Sequence, residues 1–461
     1  MILEEHLETT VKVHDQQLHR RVDLLLRTGK VLVESMADSN RIVRNMKRTA
    51  AYLGIPEDKL HINVSFTMLM VNVSDGDYSF TKFQRIETHG VNMNAITDIS
   101  KLSWRAIEND YSLDQYEEEL EKIRTKKRNY TPWQVAIGAG FACGGFCIQF
   151  GCDWMAFLYA SIAAILGMRL RAICNESGLN HYMGIAIAAF VSTMIAWAST
   201  LLPASWTSTP WHPLLACALF IVPGVPLINF VDDMLDNYIQ VGIVRAMNTL
   251  LMVTAMAFGI AFAVKLCNIG DFFPTISMVP HHNYIEYAIA AAISAMGFSM
   301  IFNIQPKLLW VVAIGGIIAV CTRNFVNLGP STNNVGLDMG LVIGSFSGAT
   351  LVSLIAIKAV HWFHVPNHVL TIPSVIPMIP GVLMYRMLFG LININVKSVD
   401  EITPLMKAIE SGINSGLVIM VIAIGVAIPN IFGRRYIAQS KNKRLAAILK
   451  ERKARGKFIE W

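Results

Sequence analysis

Hydrophobic and polar positions are distributed in three blocks along the chain. Charged residues occur at ordinary density in residues 1–130, are scarce in 131–432 and return in 433–461. The middle block consists of apolar runs whose lengths suit a bilayer. This pattern predicts a multi-pass α-helical membrane protein, with a polar head before the membrane body and a polar tail after it.

We predict about ten transmembrane helices in the membrane body. Glycine and proline interrupt several of the apolar runs, so some of the predicted spans are short. The predicted spans are residues 132–150, 154–172, 183–202, 213–231, 243–266, 284–303, 307–322, 339–357, 373–393 and 412–432.

The head combines two kinds of periodicity and is predicted to be a small α+β domain. Apolar residues recur at near-helical spacing in its first third, whereas a later segment is β-branched and partly alternating. A turn is predicted between two strands, and two further helices follow. The predicted elements are helix 17–53, strand 61–73, turn 75–77, strand 78–87, helix 95–109 and helix 113–127.

The distribution of lysine and arginine predicts that both ends of the chain are cytoplasmic. Residues 1–6 lack a signal-peptide pattern, and basic residues cluster in 122–128, directly before the first span, and again in the tail. An even number of crossings returns the tail to the side of the head. The formal charge of +6 suits the anionic surface of a lipid bilayer better than nucleic acid. We therefore expect a bacterial-type plasma (inner) membrane protein.

Two short matches indicate an internal repeat. Residues 145–150 resemble 297–302, and residues 222–225 resemble 379–382. About five spans fall in each half, and an odd number makes the second half enter the membrane from the opposite side. The sequence therefore predicts 5+5 inverted repeats, 131–270 and 271–432, an architecture common in secondary transporters. The alternative is that Gly-Phe and Pro-Gly pairs recur by chance in apolar sequence.

A Pro-Gly pair lies inside the fourth and the ninth predicted span, at equivalent places of the two halves. The pairs are Pro223-Gly224 and Pro380-Gly381. Proline removes a backbone donor and glycine adds backbone freedom, so we expect both helices to break there. Backbone groups freed at membrane depth need a cavity or a bound substrate. We predict a substrate site where the two broken helices meet; a simple packing kink is the alternative.

Polar residues follow both breaks. Arg386, which corresponds to Asn229 in the first half, has the fork geometry that suits a substrate carboxylate. Asp232 and Asp233 are predicted to couple protons or to bind a substrate ammonium group. The alternatives are an ion pair between Arg386 and an aspartate, and aspartates that merely mark a helix end.

Three polar residues, Asp153, Asn303 and Gln305, follow the first span of each half and are predicted to line a vestibule, with a turn role as the alternative. No catalytic residue, metal or cofactor is expected, because no catalytic motif or C-x-x-C pair occurs. His361, His364 and His368 are interpreted as an interfacial belt. Gly140-x-x-x-Gly144 favours close helix packing and is compatible with a homo-oligomer.

Several segments resemble the threonine/serine exporter family, and together they extend over roughly residues 17–432. The Pro-Gly segments are the specific part of the resemblance. The matching segments are 22–30 and 54–55 in the head, 151–154 and 223–229 with Asp233 in the first membrane half, and 377–386 in the second half.

The resemblance implies export of small amino acids such as threonine and serine, driven by the proton gradient. Some two-chain relatives are associated instead with export of a dicarboxylate such as succinate. Residues 236–240 depart from the family's glycine-rich pattern close to the expected site, which leaves the substrate open. A passive channel or facilitator for small metabolites is the alternative to a coupled exporter, and a catalytic head is a third hypothesis.

Overall fold

A computed structural model describes residues 2–74, 79–201, 203, 205–267, 282–330, 335–392 and 402–454. The chain divides into two units. The first contains residues 1–127, 233–244 and 433–461, and the second contains 128–232 and 245–432. The turn predicted at 75–77 lies outside the described residues.

The first unit contains the head, in which the first two helices pack against a small sheet. Three antiparallel strands pair in the order β1-β2-β3, with Leu60 opposite Val73 and Met68 opposite Arg85. A small three-stranded sheet among helices agrees with the predicted α+β character. Its elements are α1 (Ile2–Glu34), α2 (Ser39–Tyr52), β1 (Leu60–Val64), β2 (Met68–Ser74), β3 (Ser79–Arg85), α3 (Met93–Glu108) and α4 (Leu113–Thr125).

Two predicted elements of the head are divided in the structure. The predicted helix 17–53 is two helices, separated at Met36, whose φ of 63° is left-handed, and at Asp38, which caps α2. The predicted strand 61–73 is a hairpin, because the Ser65 hydroxyl accepts a hydrogen bond from the Met68 N–H (3.0 Å) and closes a turn. Single-strand and single-helix assignments were therefore wrong at these two places.

The N-terminus of α2 is bound by carboxylates from residues that directly follow the first Pro-Gly helix. The Ser39 N–H donates to Asp233 Oδ1 (2.7 Å), and Asn40 Nδ2 donates to Asp236 Oδ2 (2.7 Å). The unpaired N–H groups and the dipole of a helix N-terminus favour negative charge. Residues 233–244 therefore belong to the same unit as the head through specific polar contacts.

A third carboxylate strengthens this arrangement. Asp38 accepts from the Arg41 N–H (2.8 Å) and pairs with Arg41 Nε (2.9 Å). Burial raises the pKa of Tyr238, and the nearby carboxylates of Asp236 and Asp233 raise it further. Negative charge is thus concentrated beside the first turn of α2.

The second unit contains the membrane body. Its helices are α5 (Pro132–Gln149), α6 (Trp154–Glu176), α7 (His181–Trp197), α8 (Pro213–Ala216), α9 (Gly224–Leu235, which enters the first unit at Asp233), α10 (Ile239–Leu266, mostly in this unit), α11 (Tyr284–Ile301), α12 (Leu309–Asn327), α13 (Leu341–Phe363), α14 (Asn367–Val375), α15 (Gly381–Ile392) and α16 (Ile402–Ala454, which continues into the first unit).

Among the described residues, seven helical segments are long and apolar enough to cross a bilayer, so the chain is a membrane protein. They are Trp154–Glu176, His181–Leu201, Ile239–Leu266, Tyr284–Ile301, Pro306–Asn327, Leu341–Val360 and Leu405–Gly433. The first predicted span is α5, an 18-residue helix outside this set. The fourth and ninth predicted spans are broken into shorter pieces. The exact count of ten crossings stays a prediction.

Equivalent elements of the two halves have equal lengths and equal spacing. Helices α5 and α11 both contain 18 residues, and both begin with a capping box. Helices α9 and α15 both contain 12 residues, and a 3-10 turn precedes each of them by the same distance. Two pairs of elements therefore agree in length and spacing, and the 5+5 inverted repeat stays a prediction.

Helices α5 and α11 pack against each other through reciprocal contacts at glycine. A Cβ built on Gly145 would lie 2.6 Å from the Ala290 carbonyl oxygen, and one built on Gly297 would collide with the carbonyl oxygen of Gly138, the counterpart of Ala290. These contacts run antiparallel. The Ser294 hydroxyl adds a hydrogen bond to the Ala142 carbonyl (3.1 Å). Only glycine permits the two backbones to approach this closely.

The contact has local two-fold symmetry. Phe146 and Phe298 are equivalent residues, and their rings meet edge to face with centroids 5.8 Å apart. A residue that touches its own counterpart lies on the axis that relates the two, and reciprocal contacts lie around it. A local two-fold axis therefore passes between α5 and α11, across their length.

We expect Gly297→Ala to destabilise the membrane body, because the added methyl group meets the backbone of α5, which cannot move aside. Overpacking of this kind costs about 1–3 kcal/mol. Gly416→Ala is the matched control, since a Cβ at Gly416 on α16 meets nothing within 4 Å. Thermal unfolding of both variants in detergent gives the comparison, and an equal melting temperature for the two would contradict the close approach.

We expect Asp233→Ala to loosen the first turn of α2, because the Ser39 N–H loses its acceptor. The loss of an N-terminal cap costs about 0.5–2 kcal/mol, which corresponds to amide hydrogen exchange roughly 2- to 30-fold faster. Hydrogen exchange at residues 39–42 measures this effect. Asp58→Ala, in an exposed turn of the same unit, serves as the control. Unchanged exchange in Asp233→Ala would show that the contact contributes nothing.

Candidate functional site

Both Pro-Gly pairs interrupt their helices, as the sequence predicted. In the first half, α8 and a 3-10 turn at Leu219–Ile221 precede the break, and α9 begins at Gly224. In the second half, α14 and a 3-10 turn at Ile376–Met378 precede it, and α15 begins at Gly381. The two broken segments are thus built alike from the same residue pattern.

The glycine at each break donates its N–H to a nearby carbonyl group. Gly224 N–H donates to Val222 O, and Gly381 N–H donates to Ile379 O, both at 2.8 Å. Each bond spans two residues and bends the chain sharply. The backbone therefore satisfies these two donors locally, without a ligand.

The proline carbonyls are also bonded within the protein. Pro223 O accepts from the Leu227 N–H (2.9 Å), and Pro380 O accepts from the Met384 N–H (3.1 Å). The breaks were expected to offer free backbone groups to a substrate. In the structure these particular groups are occupied, so a backbone role in substrate binding stays a prediction and requires another conformation.

The two breaks close against each other through apolar side chains. A Cβ on Gly224 would collide with Ile376 and lie 3.0 Å from Ile379. A Cβ on Gly381 would meet their counterparts, Leu219 and, at 3.4 Å, Val222. The same reciprocal symmetry that relates α5 and α11 therefore relates the two breaks.

The space between the breaks is too small for a metabolite. A cavity of about 10 Å³ remains there, which is about the minimum for a single water. The structure therefore shows the two broken segments in closed contact. The residues that line the small cavity are Phe146, Leu219, Val222, Phe298, Ile376, Ile379 and Gly381.

Buried polar groups follow the first break on α9. Asn229 and Asp232 are both 2% exposed, and they lie three residues apart, which puts them on one side of the helix. Asp232 Oδ2 lies 3.8 Å from Nε2 of His368 on α14. This contact joins the first half to the second half inside the membrane body.

The sequence reasoning set His368 aside as one of three interfacial histidines. In the structure its side chain is 8% exposed, whereas His364, which ends α13 in a left-handed conformation, is exposed. The signal that could have separated the two is position, since His368 lies on the segment that leads into the second break. A buried ionisable group in the membrane body is costly, which makes His368 a candidate for a functional role.

Asp232 and Asp233 differ in what they contact, although they are neighbours on α9. Asp233 accepts the hydrogen bond from Ser39 in the first unit, whereas Asp232 lies beside His368 in the second. The sequence treated the two aspartates as interchangeable candidates. In the structure the two side chains have different partners.

Two arginines of the membrane body follow the Pro-Gly breaks along the chain, one in each half. Arg386 is half-buried on α15, at the position equivalent to Asn229 on α9. Arg245 on α10 is 2% exposed and was missed by the sequence reasoning, although it lies inside the predicted span 243–266. A buried guanidinium in a membrane protein is costly and marks a functional region.

The predicted vestibule residues occupy turns. Asp153 caps α6 and accepts from the Thr207 hydroxyl (2.8 Å) and the Ser208 N–H (2.7 Å). Asn303 has a left-handed φ of 57°, and its side chain accepts from a backbone N–H. Gln305 precedes the 3-10 turn Pro306–Leu308. These contacts fit turn residues, and a vestibule role stays a prediction.

Two family models match the chain, and both describe threonine/serine exporters. The first covers residues 23–267, and the second covers residues 287–432. The first contains the head and the first Pro-Gly break, and the second contains the other break. No solved structure matches the chain.

Curated relatives match about half of the chain. The "Probable succinate transporter subunit YjjP" of Klebsiella aerogenes is 25% identical over 244 residues, which cover 53% of this chain and 92% of the relative. The protein of the same name from Escherichia coli K12 is 25% identical over 243 residues, covering 53% and 93%. An uncharacterized protein of Haemophilus influenzae is 26% identical over 141 residues, covering 31% and 44%.

The two models cover nearly all of residues 23–432, and they follow the order of the two predicted halves. The chain belongs to the threonine/serine exporter family, with both membrane halves fused behind a soluble head.

Proposed function

We propose that this protein is a proton-coupled secondary exporter of a small carboxylate-bearing metabolite, with threonine- and serine-like amino acids as its first candidates. The observation that carries the proposal is the closed contact between two equivalent Pro-Gly breaks, in a membrane protein of an exporter family. Buried polar groups follow the first break. Transporter substrate sites are commonly built from broken helices of this kind.

The reciprocal contacts support inverted-topology repeats. Helices α5 and α11 pack antiparallel about a local two-fold axis that crosses both helices. If the two helices span the membrane, this axis runs parallel to the membrane plane. Each half then faces the opposite side. In this proposal the five-plus-five membrane body, 131–270 and 271–432, lies in a bacterial-type inner membrane with the head 1–130 and the tail 433–461 both cytoplasmic.

The proposed mechanism requires the breaks to separate. Gly224 and Gly381 lie at an apolar contact that leaves no room for a substrate, so the closed form is one step of the cycle. Separation would open a cavity between the two breaks and admit the substrate. A small cavity that opens on alternate sides is the working principle of inverted-repeat transporters.

The charges suggest how an amino acid would be held. Arg386 supplies a fork of donors for the carboxylate, and Asn229 supplies a neutral amide at the equivalent position of the other half. Asp232 supplies the negative charge that either couples a proton or faces the ammonium group. Asp233 is assigned to the head rather than to the substrate, because it already binds α2.

A dicarboxylate such as succinate is the second candidate substrate. The observation in its favour is that two relatives, matched over 92% and 93% of their length, are named as probable succinate transporter subunits. A second carboxylate would need a second cationic partner, and Arg245 is a buried guanidinium in the same unit. An amino acid needs one cation and one anion, which Arg386 and Asp232 provide without Arg245.

We expect purified protein in proteoliposomes to move labelled threonine or serine against its gradient when a pH gradient is imposed. Succinate transport in the same assay would favour the dicarboxylate, and transport that ignores the pH gradient would indicate a passive facilitator. Failure of all three substrates under every gradient would refute the exporter proposal. Protein-free liposomes give the leak rate.

We expect Arg386→Ala to raise the KM for the carboxylate substrate about 10- to 100-fold, because a charged hydrogen bond is worth about 1.5–3 kcal/mol. Arg386→Lys should recover part of the loss, since it keeps the charge but not the fork. Lys307→Ala, an exposed cation of the second half, is the control. Full transport by Arg386→Ala would show that the carboxylate binds elsewhere.

A further inference from the structure

A buried histidine and a buried aspartate meet between the two broken segments, and the proposed function uses only the aspartate. Asp232 lies on α9, which begins at the first break, and His368 lies on α14, which leads into the second. Their side chains are 3% and 8% exposed, and Oδ2 lies 3.8 Å from Nε2. Histidine is the side chain whose charge changes most readily near neutral pH.

We propose that Asp232 and His368 form a single proton-binding pair, that the coupling proton is carried on this pair, and that its presence holds the two broken segments together. This inference rests on the proposed export function. With the proton bound, imidazolium and carboxylate attract each other across the interface of the halves. Without it, a neutral imidazole faces a buried carboxylate, and the attraction between the charges disappears.

The internal repeat provides an independent argument. At the repeat offset that relates α9 to α15, Asp232 corresponds to Phe389 and His368 corresponds to Trp211. The equivalent positions of the repeat therefore carry two aromatic residues. Phe389 and Trp211 show that aromatic side chains can occupy these positions of the repeat. Packing alone therefore does not require an aspartate at 232 and a histidine at 368. The pair is an asymmetric addition, which gives one such proton site in each chain.

Other charged groups on the neighbouring helices have their own surroundings. Helix α14 packs against α11, α12 and α13, whose charged residues are Glu286, Arg323 and Lys358. Glu286 lies in the first turn of α11 and pairs with His282 (3.1 Å). Arg323 donates to Asn324 in the last turn of α12 (2.9 Å).

Two further charged groups lie on α9 and α13. Asp233 is engaged by Ser39, and the Lys358 side chain is exposed. Among the described ion pairs, Asp232 is the carboxylate that lies within 4 Å of a ring nitrogen of His368. The direct pair explains how a proton event is transmitted to both breaks at once.

The test is transport in proteoliposomes by the full chain with His368→Asn and Asp232→Asn. We expect both variants to lose the stimulation by a pH gradient. His368→Asn, which changes no substrate-binding residue, should keep substrate exchange at equal pH on both sides, with a flattened pH profile. Combining the two substitutions should produce no further loss of the gradient response, because one pair is removed in every case.

Two additional variants distinguish the pair from a structural role. His364→Asn, an exposed histidine four residues away, should behave like the wild type. Exchanging the two residues, Asp232→His together with His368→Asp, should restore a response to the pH gradient. A merely structural role for His368 would lose exchange activity along with the gradient response, and the swap would not restore it.

The outcomes separate this inference from the proposed function. If the wild type responds to the pH gradient and His368→Asn responds equally, the exporter stands and the pair is wrong. If the wild type carries none of the substrates, histidine NMR of the full chain in nanodiscs still tests the pair. At one fixed pH, the ring nitrogen signals of His368 should differ between Asp232→Asn and the wild type while those of His364 stay the same, and unchanged His368 signals would overturn the inference.

Discussion

Backbone groups at membrane depth must find partners inside the protein, and the architecture of the membrane body depends on how this is achieved at two places. Each Pro-Gly pair ends one helix and begins another, so several N–H and carbonyl groups lose their helical partners. The glycine N–H turns back to a carbonyl two residues earlier, and the proline carbonyl enters the next helix. Each break is therefore stable in itself, and its outer surface can be apolar.

An apolar surface at each break permits the breaks to meet. Gly224 leaves room for Ile376, and Gly381 leaves room for Leu219, so each half provides both the small residue and the large one. The same reciprocity occurs between α5 and α11, where Gly145 approaches the backbone of Ala290 and Gly297 approaches the backbone of Gly138. A symmetric frame made of reciprocal contacts can hold two arrangements of similar energy, which is what a transporter with alternating access requires.

The two halves make reciprocal packing contacts, but the polar side chains at their equivalent positions differ. Asn229 and Arg386 occupy equivalent positions but differ in charge, and Asp232 and His368 have aromatic counterparts. A transporter with identical halves would present the same site twice, whereas a substrate with two unlike ends needs different partners. The polar differences between the halves are therefore more informative about the substrate than the shared Pro-Gly pattern is.

The sequence predicted what local rules determine and missed what depends on neighbours. Proline and glycine break helices wherever they occur, so both breaks could be located from residues 223–224 and 380–381 alone. The hairpin inside 61–73 was missed because Ser65 closes its turn with a side chain rather than with a Gly or Pro signal. His368 was missed because its importance comes from Asp232, which is more than a hundred residues away in the chain.

The distinction between Asp232 and Asp233 shows most clearly where sequence reasoning ends. Consecutive residues on a helix point about 100° apart, so they contact different surroundings although no composition or charge pattern separates them. One aspartate contacts His368 and the other binds the N-terminus of α2. A rotation of α9 that moved Asp232 away from His368 would also move Asp233, because a single helical turn is rigid. The chain thus places one residue of the proposed proton-binding pair and the acceptor for the Ser39 N–H on one short helix, one residue apart.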